Sequence, residues 1–343
     1  MTRRIYIAYT GGTFGMTPSS AGLAPQGGLK QRLQKLLPPA ASQGMPDWEL
    51  HEYPQLIDSS MAQPQDWHTI ASDIARQYNH YDGFVVIHGT DTLAFTASAL
   101  SFALKGLRKP VIVTGSQIPL GEEDSDAYRN LLGALMIAAQ QPVHEVCVYF
   151  NGTLLRGNRS TKLSSQAFAA FDTPNYPTLG QTTVSDVFED FLLNRRTLLA
   201  KPAQEAFEVV KPTAKELAII RLHPGFSVAQ LKRFLAPPIA GVILQTFGSG
   251  NAPTQLSGFV DALAEAHQRG VVIINISQCI NGSVEQGRYA AGSALTQAGV
   301  IGGFDMTVEA AVTKLYHLFS LELPVQKIRP LIQQPLCGEL SLA

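Results

Sequence analysis

Apolar residues fall into short continuous runs separated by stretches of helical spacing. Residues 5–9, 84–88, 111–114 and 145–150 are rich in β-branched and aromatic side chains and almost free of polar ones. That is the pattern of strands covered on both faces. Between the runs, Trp67, Ile70, Ile74 and Tyr78 recur every three or four residues, with Pro64 where a helix accepts proline in its first turn. Tyr128, Leu131, Leu132 and Leu135 recur in the same way. The alternation predicts an α/β fold with a mostly parallel sheet flanked by helices. Over residues 174–213 the periodicity is broken by Pro174, Pro177, Pro202 and Pro212 and by a polar stretch. Apolar runs resume at 217–222, 241–246 and 271–277, with helical spacing over 255–267 and 307–321. The chain therefore divides into a larger N-terminal α/β domain (1–190), a linker (191–213) and a smaller C-terminal α/β domain (214–343). The pattern leaves strand order open.

Composition narrows the classes. The 343 residues are 45% hydrophobic and 15% charged, enough to bury large cores. With 26 basic against 27 acidic side chains, the balance favours neither nucleic acid nor an anionic membrane as partner. Three widely spaced cysteines, Cys147, Cys279 and Cys337, make neither a disulfide framework nor a zinc site. The start, Met1-Thr2-Arg3-Arg4 followed directly by the first apolar run, does not read as a secretory leader, which would need a longer apolar stretch and a small-residue cleavage site. No run approaches the length of a membrane span. A cytoplasmic location is expected.

In open α/β sheets, ligands bind beyond the carboxyl ends of the strands. Four such ends carry small hydroxyls, glycines and carboxylates: Thr10-Gly11-Gly12-Thr13, Asp58-Ser59-Ser60 after the run ending at Leu56-Ile57, Gly89-Thr90-Asp91-Thr92, and Gly115-Ser116-Gln117. Singly, each reads equally well as an ordinary turn. Together, on one edge of one sheet, they form a candidate site. Metal-ligand clusters and a P-loop are absent, and Gly11-Gly12-Thr13-Phe14-Gly15 is not a dinucleotide fingerprint. Neither a metal nor an organic cofactor is called for. A hydroxyl nucleophile fits better. A threonine hydroxyl needs a base to take its proton, which Asp91 with a desolvated lysine can supply. Backbone N–H groups of a Gly-rich turn can stabilise the resulting oxyanion.

Thr10-Gly11-Gly12-Thr13-Phe14-Gly15-Met16 and His88-Gly89-Thr90-Asp91-Thr92 resemble the two signature segments of bacterial-type L-asparaginases. Arg156-Gly157-Asn158-Arg159-Ser160-Thr161-Lys162 resembles the lysine-bearing segment of the same family. The likeness continues through Val113–Pro119, Phe247–Pro253 and Gly299–Thr307, and is similar to the cytosolic, type I branch. The resemblance implies a large and a small α/β domain, no cofactor, and L-asparagine as substrate. It implies Thr13 as the nucleophile of a β-aspartyl enzyme, with Thr90, Asp91 and Lys162 as an activating triad. Asp58, Ser59 and Ser60 would hold the α-amino and α-carboxylate groups, with Gly89 and Asp91 beside them. The backbone at Ser116 would receive the side-chain amide. It further implies a homodimer or homotetramer in which a neighbouring small domain closes each site, and Asn251 is the candidate for that contribution.

Singly, these residues have other readings. Thr13 suits a Gly-rich turn, Lys162 a solvated surface, Asp91 a helix cap, His88 the core, and Asn251 a turn before a helix. The sequence also departs from the family pattern. Leu23 stands where many relatives carry a tyrosine that bonds the nucleophile, although other members of the branch carry leucine there. Met61 follows Asp58-Ser59-Ser60 where an acidic residue is common. Gln245, with Cys279 nearby, stands where some cytosolic relatives carry an arginine at a regulatory asparagine site. Alternatives are an amidohydrolase with substantial glutaminase activity, an ammonia-supplying amidotransferase subunit and a non-catalytic amino-acid sensor. The start at the first strand disfavours the subunit. The joint presence of Thr13, Thr90, Asp91 and Lys162 disfavours the sensor.

Overall fold

The first apolar run lies in strand Arg4–Tyr9, and its side chains alternate between two cores. Ile5, Ile7 and Tyr9 face one; Tyr6 and Ala8 face the other. The computed structural model describes residues 2–20, 22–25, 27–37, 44–182, 191–202, 206–211, 213, 215–287 and 290–342. The described residues cluster into two compact units, Met1–Val210 and Lys211–Ala343. The expected domain end at residue 190 and the linker proline Pro212 lie outside the described residues.

In the first unit, the pleat explains why strands read as continuous apolar runs: successive residues point to opposite, equally covered faces. Val85 and Ile87 join Ile112, Cys147 and Tyr149 on one face; Phe84 and Val86 join Val111, Val113 and Val148 on the other. Leu29 and Leu33 of helix Leu29–Leu36, and Leu131 and Leu135 of helix Ala127–Gln140, cover the first face. Ile70 and Ile74 of helix Pro64–Gln77, and Leu93 and Leu100 of helix Leu93–Ala103, cover the second. Each fully buried aliphatic side chain contributes roughly 1.5–3 kcal/mol of transfer free energy. Pro64 opens its helix as expected, with a reciprocal cap between Gln63 and Asp66.

The sheet runs Phe191–Leu193, Gly180–Thr182, Thr153–Arg156, Val146–Phe150, Val111–Thr114, Gly83–Ile87, Arg4–Tyr9, Asp47–Glu52. The last five of these are parallel to one another, and the first three join antiparallel. Numbered by sequence, the parallel strands take the order 2-1-3-4-5. The order reverses between Arg4–Tyr9 and Gly83–Ile87, which is where a crevice opens at the carboxyl ends. One expectation is corrected. The run ending at Leu56-Ile57 is not a strand to its end, because the strand stops at Glu52. Tyr53 N–H donates to the Tyr9 carbonyl and Ile57 N–H to the Thr10 carbonyl, so the segment still delivers Asp58 to the same edge.

The second unit carries a parallel sheet in simple sequential order: Glu216–Arg221, Ile239–Thr246, Val272–Ser277, Ile301–Gly302. Val242, Leu244 and Ile273 pack against Phe259 and Leu263 of helix Phe259–Gln268. Among the described residues, no helix is long and apolar enough to cross a membrane.

Candidate active site

The switch point is built by glycines that let two loops touch. Gly12 follows the first strand with φ near 87°, a left-handed conformation that disfavours any side chain. A Cβ there would collide with the backbone of Gly89, which follows Gly83–Ile87. A Cβ on Gly89 would in turn collide with the Ser59 side chain, and one on Gly115 with the His88 carbonyl. Three strand-end loops and the 58–61 segment thus close on one another around Gly89. Thr13 and Thr90 are each the residue immediately after a touching glycine.

Thr13 begins a single 3-10 turn, Thr13–Gly15, and is half-buried. Thr90 is almost fully buried. Lys162 Nζ donates to Thr90 Oγ1 at 2.9 Å and to Asp91 Oδ1 at 2.9 Å. The lysine side chain is 19% exposed and that of Asp91 63% exposed, so the pair sits at a wet rim. Lys162 is held on a two-residue antiparallel ladder, with Thr161 opposite Asp172 and Lys162 opposite Phe171. The turn before it, Gly157–Arg159, presses on helix Leu93–Ala103, where a Cβ on Gly157 would crowd the Ala97 carbonyl. Arg156, one residue earlier, is anchored by a buried ion pair with Glu145 at 2.6 Å. Asp91 does not cap the following helix: the cap position is Thr92, whose hydroxyl donates to the Ser59 carbonyl at 2.7 Å.

Asp58 caps the short turn Ser59–Met61, its Oδ1 accepting from Ser60 N–H at 3.0 Å and Ser60 Oγ at 2.9 Å. Ser59 is buried; Asp58, Ser60 and Met61 are exposed. His88 is buried, and its surroundings assign its tautomer. Nδ1 lies 2.8 Å from the Gly89 carbonyl, which can only accept, so Nδ1 donates and Nε2 accepts from Thr96 Oγ1 at 3.1 Å. Burial pulls its pKa below the usual histidine value, opposed by the Gly89 carbonyl. His88 is a core histidine that braces the Gly89 peptide.

Ser116 is fully buried. The peptides around it are held by two residues that the sequence reading did not single out. Asn130 Nδ2 donates to the Gly115 carbonyl at 3.0 Å, and Asp126 accepts from the N–H groups of Gln117 and Ile118. Asp126 is the cap residue of helix Ala127–Gln140 and Asn130 follows four residues later among buried apolar side chains, which is the signal that marks them.

Asn251 belongs to the second unit, where its backbone pairs with Phe247 to close a turn after strand Ile239–Thr246. Gln245 is nearly buried on that strand, and its carbonyl accepts from Leu222 N–H and Gln278 Nε2. The side chain of Leu23 lies outside the described residues; its backbone pairs with Pro18 in the hairpin Met16–Ser19 with Gly22–Pro25.

Comparison with known proteins agrees with this architecture. A family model described as "Asparaginase, N-terminal" matches residues 4–190, and one described as "Glutaminase/Asparaginase C-terminal domain" matches residues 216–332. The chain is 47% identical to L-asparaginase 1 of Escherichia coli K12, over 99% of this chain and 98% of that protein. It is 40% identical to the 60 kDa lysophospholipase of Mus musculus, over 99% of this chain and 63% of that protein. The crystal structure of L-asparaginase I from Vibrio cholerae superposes with a TM-score of 0.91 at 44% identity, covering all of both chains. The touching glycine loops, the lysine that bridges Thr90 and Asp91, and these matches over both units make this chain a member of the asparaginase family.

Proposed function

We propose that this protein is an L-asparaginase that hydrolyses L-asparagine to L-aspartate and ammonia through an acyl-enzyme on Thr13. The observation that carries the reading is the Lys162 amine, 2.9 Å from both Thr90 Oγ1 and Asp91 Oδ1, next to the loop contact that flanks Thr13. Bonded to both, the lysine can relay the Thr90 proton and make the Thr90 oxygen a base, with Asp91 steadying the lysine.

In the first half-reaction, Thr13 Oγ attacks the side-chain amide carbon and its proton passes into the triad. The C–N bond breaks as the nitrogen takes a proton, and ammonia leaves. In the second, the triad deprotonates a water that attacks the ester carbon, releasing aspartate and returning the proton to Thr13. Backbone N–H groups of the Gly-rich turn stabilise the oxyanion in both steps. Asp58, Ser59 and Ser60 receive the α-amino and α-carboxylate groups, with Gly89 and Asp91 beside the ammonium. The Ser116 peptide, braced by Asn130 and Asp126, receives the amide. Asn251 completes the site of a neighbouring copy, which makes a homodimer or homotetramer the active form. The location is cytoplasmic. No cofactor takes part.

Ammonia release measured with asparagine and glutamine in parallel tests this reading. Turnover of asparagine with a large preference over glutamine is the expected result. No release from either would return the protein to the sensor reading.

A further inference from the structure

The turn that carries Thr13 has three carbonyls, and each has an identified donor. The Thr13 carbonyl accepts from Met16 N–H, and the Phe14 carbonyl from Leu120 N–H at 3.0 Å. The Gly15 carbonyl accepts from Arg32 Nη2 at 2.7 Å. Two of these donors are backbone, set by the fold whatever the sequence. The third is a side chain, from helix Leu29–Leu36, which Leu29 and Leu33 fasten to the same core as Tyr9 and Phe14. The hairpin Met16–Ser19 with Gly22–Pro25 begins at the next residue, so Gly15 is the junction between the nucleophile turn and that hairpin.

The floor of the turn is Tyr9, fully buried, on whose hydroxyl a Cβ at Gly15 would fall. Only glycine lets the turn settle this low. Among the described residues, the Tyr9 hydroxyl and Arg32 Nε are both buried without a hydrogen-bond partner. Such orphaned groups are normally avoided, because each forfeits its hydration. Burial, reinforced by Glu52 and opposed by Arg32, pushes the Tyr9 phenol up to about 12. The phenol therefore stays protonated near neutral pH and does not stand in as the base for Thr13.

We infer that Arg32 is a positioning residue for the nucleophile: by holding the Gly15 carbonyl against the Tyr9 floor, it fixes the turn from which Thr13 attacks. This rests on Thr13 being the nucleophile. Arg32 bonds the Gly15 carbonyl, two residues beyond Thr13, so its effect on the nucleophile passes through backbone. A small displacement of a nucleophile is felt in the chemical step far more than in binding. The Arg32 contact is consequently worth turnover and not affinity.

The test is a set of three variants of the full chain, assayed for ammonia release from asparagine with melting curves taken alongside. Arg32→Ala is expected to lower kcat by about 10- to 100-fold, the scale of an ångström's misplacement. Its KM should stay within about threefold of wild type, because uniform binding is untouched. Arg32→Lys keeps a single donor and should recover part of the loss. Added ethylguanidinium should restore turnover to Arg32→Ala by returning the missing donor, which a merely structural role would not allow. Thr13→Ala, assayed in parallel, separates the two ideas. If Thr13→Ala is inactive while folded Arg32→Ala keeps wild-type kcat, or changes only KM, the positioning role is overturned and the nucleophile stands. If Thr13→Ala is active, the nucleophile assignment fails and the inference fails with it. Loss of activity in Arg32→Ala that tracks loss of folded protein, without rescue by ethylguanidinium, also overturns it.

Discussion

Each unit holds a lysine–carboxylate pair, and the two pairs have opposite surroundings. In the second unit, Lys314 and Glu339 lie 2.6 Å apart with no exposure on either side chain. Lys314 Nζ also donates to the carbonyls of Ile332 and Gln334, while Glu339 accepts from the N–H groups of Leu336 and Cys337. In the first unit, Lys162 meets Asp91 at a solvated rim and spends its second bond on the Thr90 hydroxyl. The same contrast holds at the sheet ends. In the second unit, Thr246 Oγ1 is committed to Asn275 and Ser277 Oγ to the Gly248 carbonyl, both at 2.6 Å. That sheet runs in sequential order with no reversal. The first sheet reverses between the strands that precede Thr13 and Thr90, and leaves Thr13 half-exposed and Asp91 open. A crevice opened by topology, with polar groups still reached by solvent, is where chemistry is expected; where both are closed, the same residue types serve stability.

The largest effect that would break this comparison is at Lys314. Lys314→Met strands the Glu339 carboxylate in the core and should cost about 3–5 kcal/mol of stability, the scale for splitting a buried pair. Burial pulls the Lys314 pKa down, opposed by Glu339, so the site tolerates the charge only with its partner present. Thermal melts should show the loss, while kcat per folded molecule stays at the wild-type value. Lys162→Met should do the reverse. Its kcat should fall by about 10²–10⁴-fold, the range for general acid–base groups, with a near-normal melt and a smaller change in KM. Asp91→Asn should damage kcat and KM together, since Asp91 bonds the lysine and is proposed to meet the substrate ammonium as well. A pure KM effect for Lys162→Met would remove it from the catalytic set.

A subtler effect concerns acid. His88 is buried with a pKa below that of the unfolded chain. The unfolded state therefore binds the proton more readily, and stability rises with pH across the interval between the two values. The His88 contribution is complete above the ordinary histidine pKa and is lost as pH falls toward the depressed one. Melting temperatures from pH 7 to pH 5 should drop less steeply for His88→Gln than for wild type. Parallel curves would show that His88 is not the group responsible. The smallest effect is expected in regulation. With Gln245 where an arginine would pair with an effector carboxylate, and with Thr246 and Ser277 already bonded internally, asparagine saturation should be hyperbolic. Coupling in allostery is worth only about 1–3 kcal/mol, so one lost bidentate contact is enough to abolish it. A sigmoidal curve would show an effector site built from other groups.

Much of the fold was legible because it is local. Strand runs such as 5–9 and 111–114 announce themselves, and Pro64 opens its helix where proline is tolerated. The strand-end residues were also legible, since a single rule about parallel sheets gathers Thr13, Thr90, Asp91 and Ser116 to one edge. What was not legible is long-range. The 2-1-3-4-5 order depends on crossovers that local spacing does not encode. Phe191–Leu193 extends the large sheet from a segment whose prolines and polar residues hide its strand character. Asp58 reaches the edge through two backbone bonds beyond the end of its strand, which no side-chain pattern displays. Lys162 rides a ladder too short for any periodicity. Asp126 and Asn130 were overlooked because their helix looks like an ordinary core helix until its polar pair is set against Gly115 and Gln117.

The central claim is that Thr13 carries the acyl group. Its most direct test is to acid-quench the unmodified protein during turnover of asparagine, digest it, and map any aspartyl adduct by mass spectrometry. The adduct should lie on the peptide that contains Thr13, and Thr13→Ala should show neither the adduct nor more than about a thousandth of wild-type activity. An adduct on the peptide containing Thr90, or a Thr13→Ala variant retaining a tenth of wild-type activity, would contradict the account.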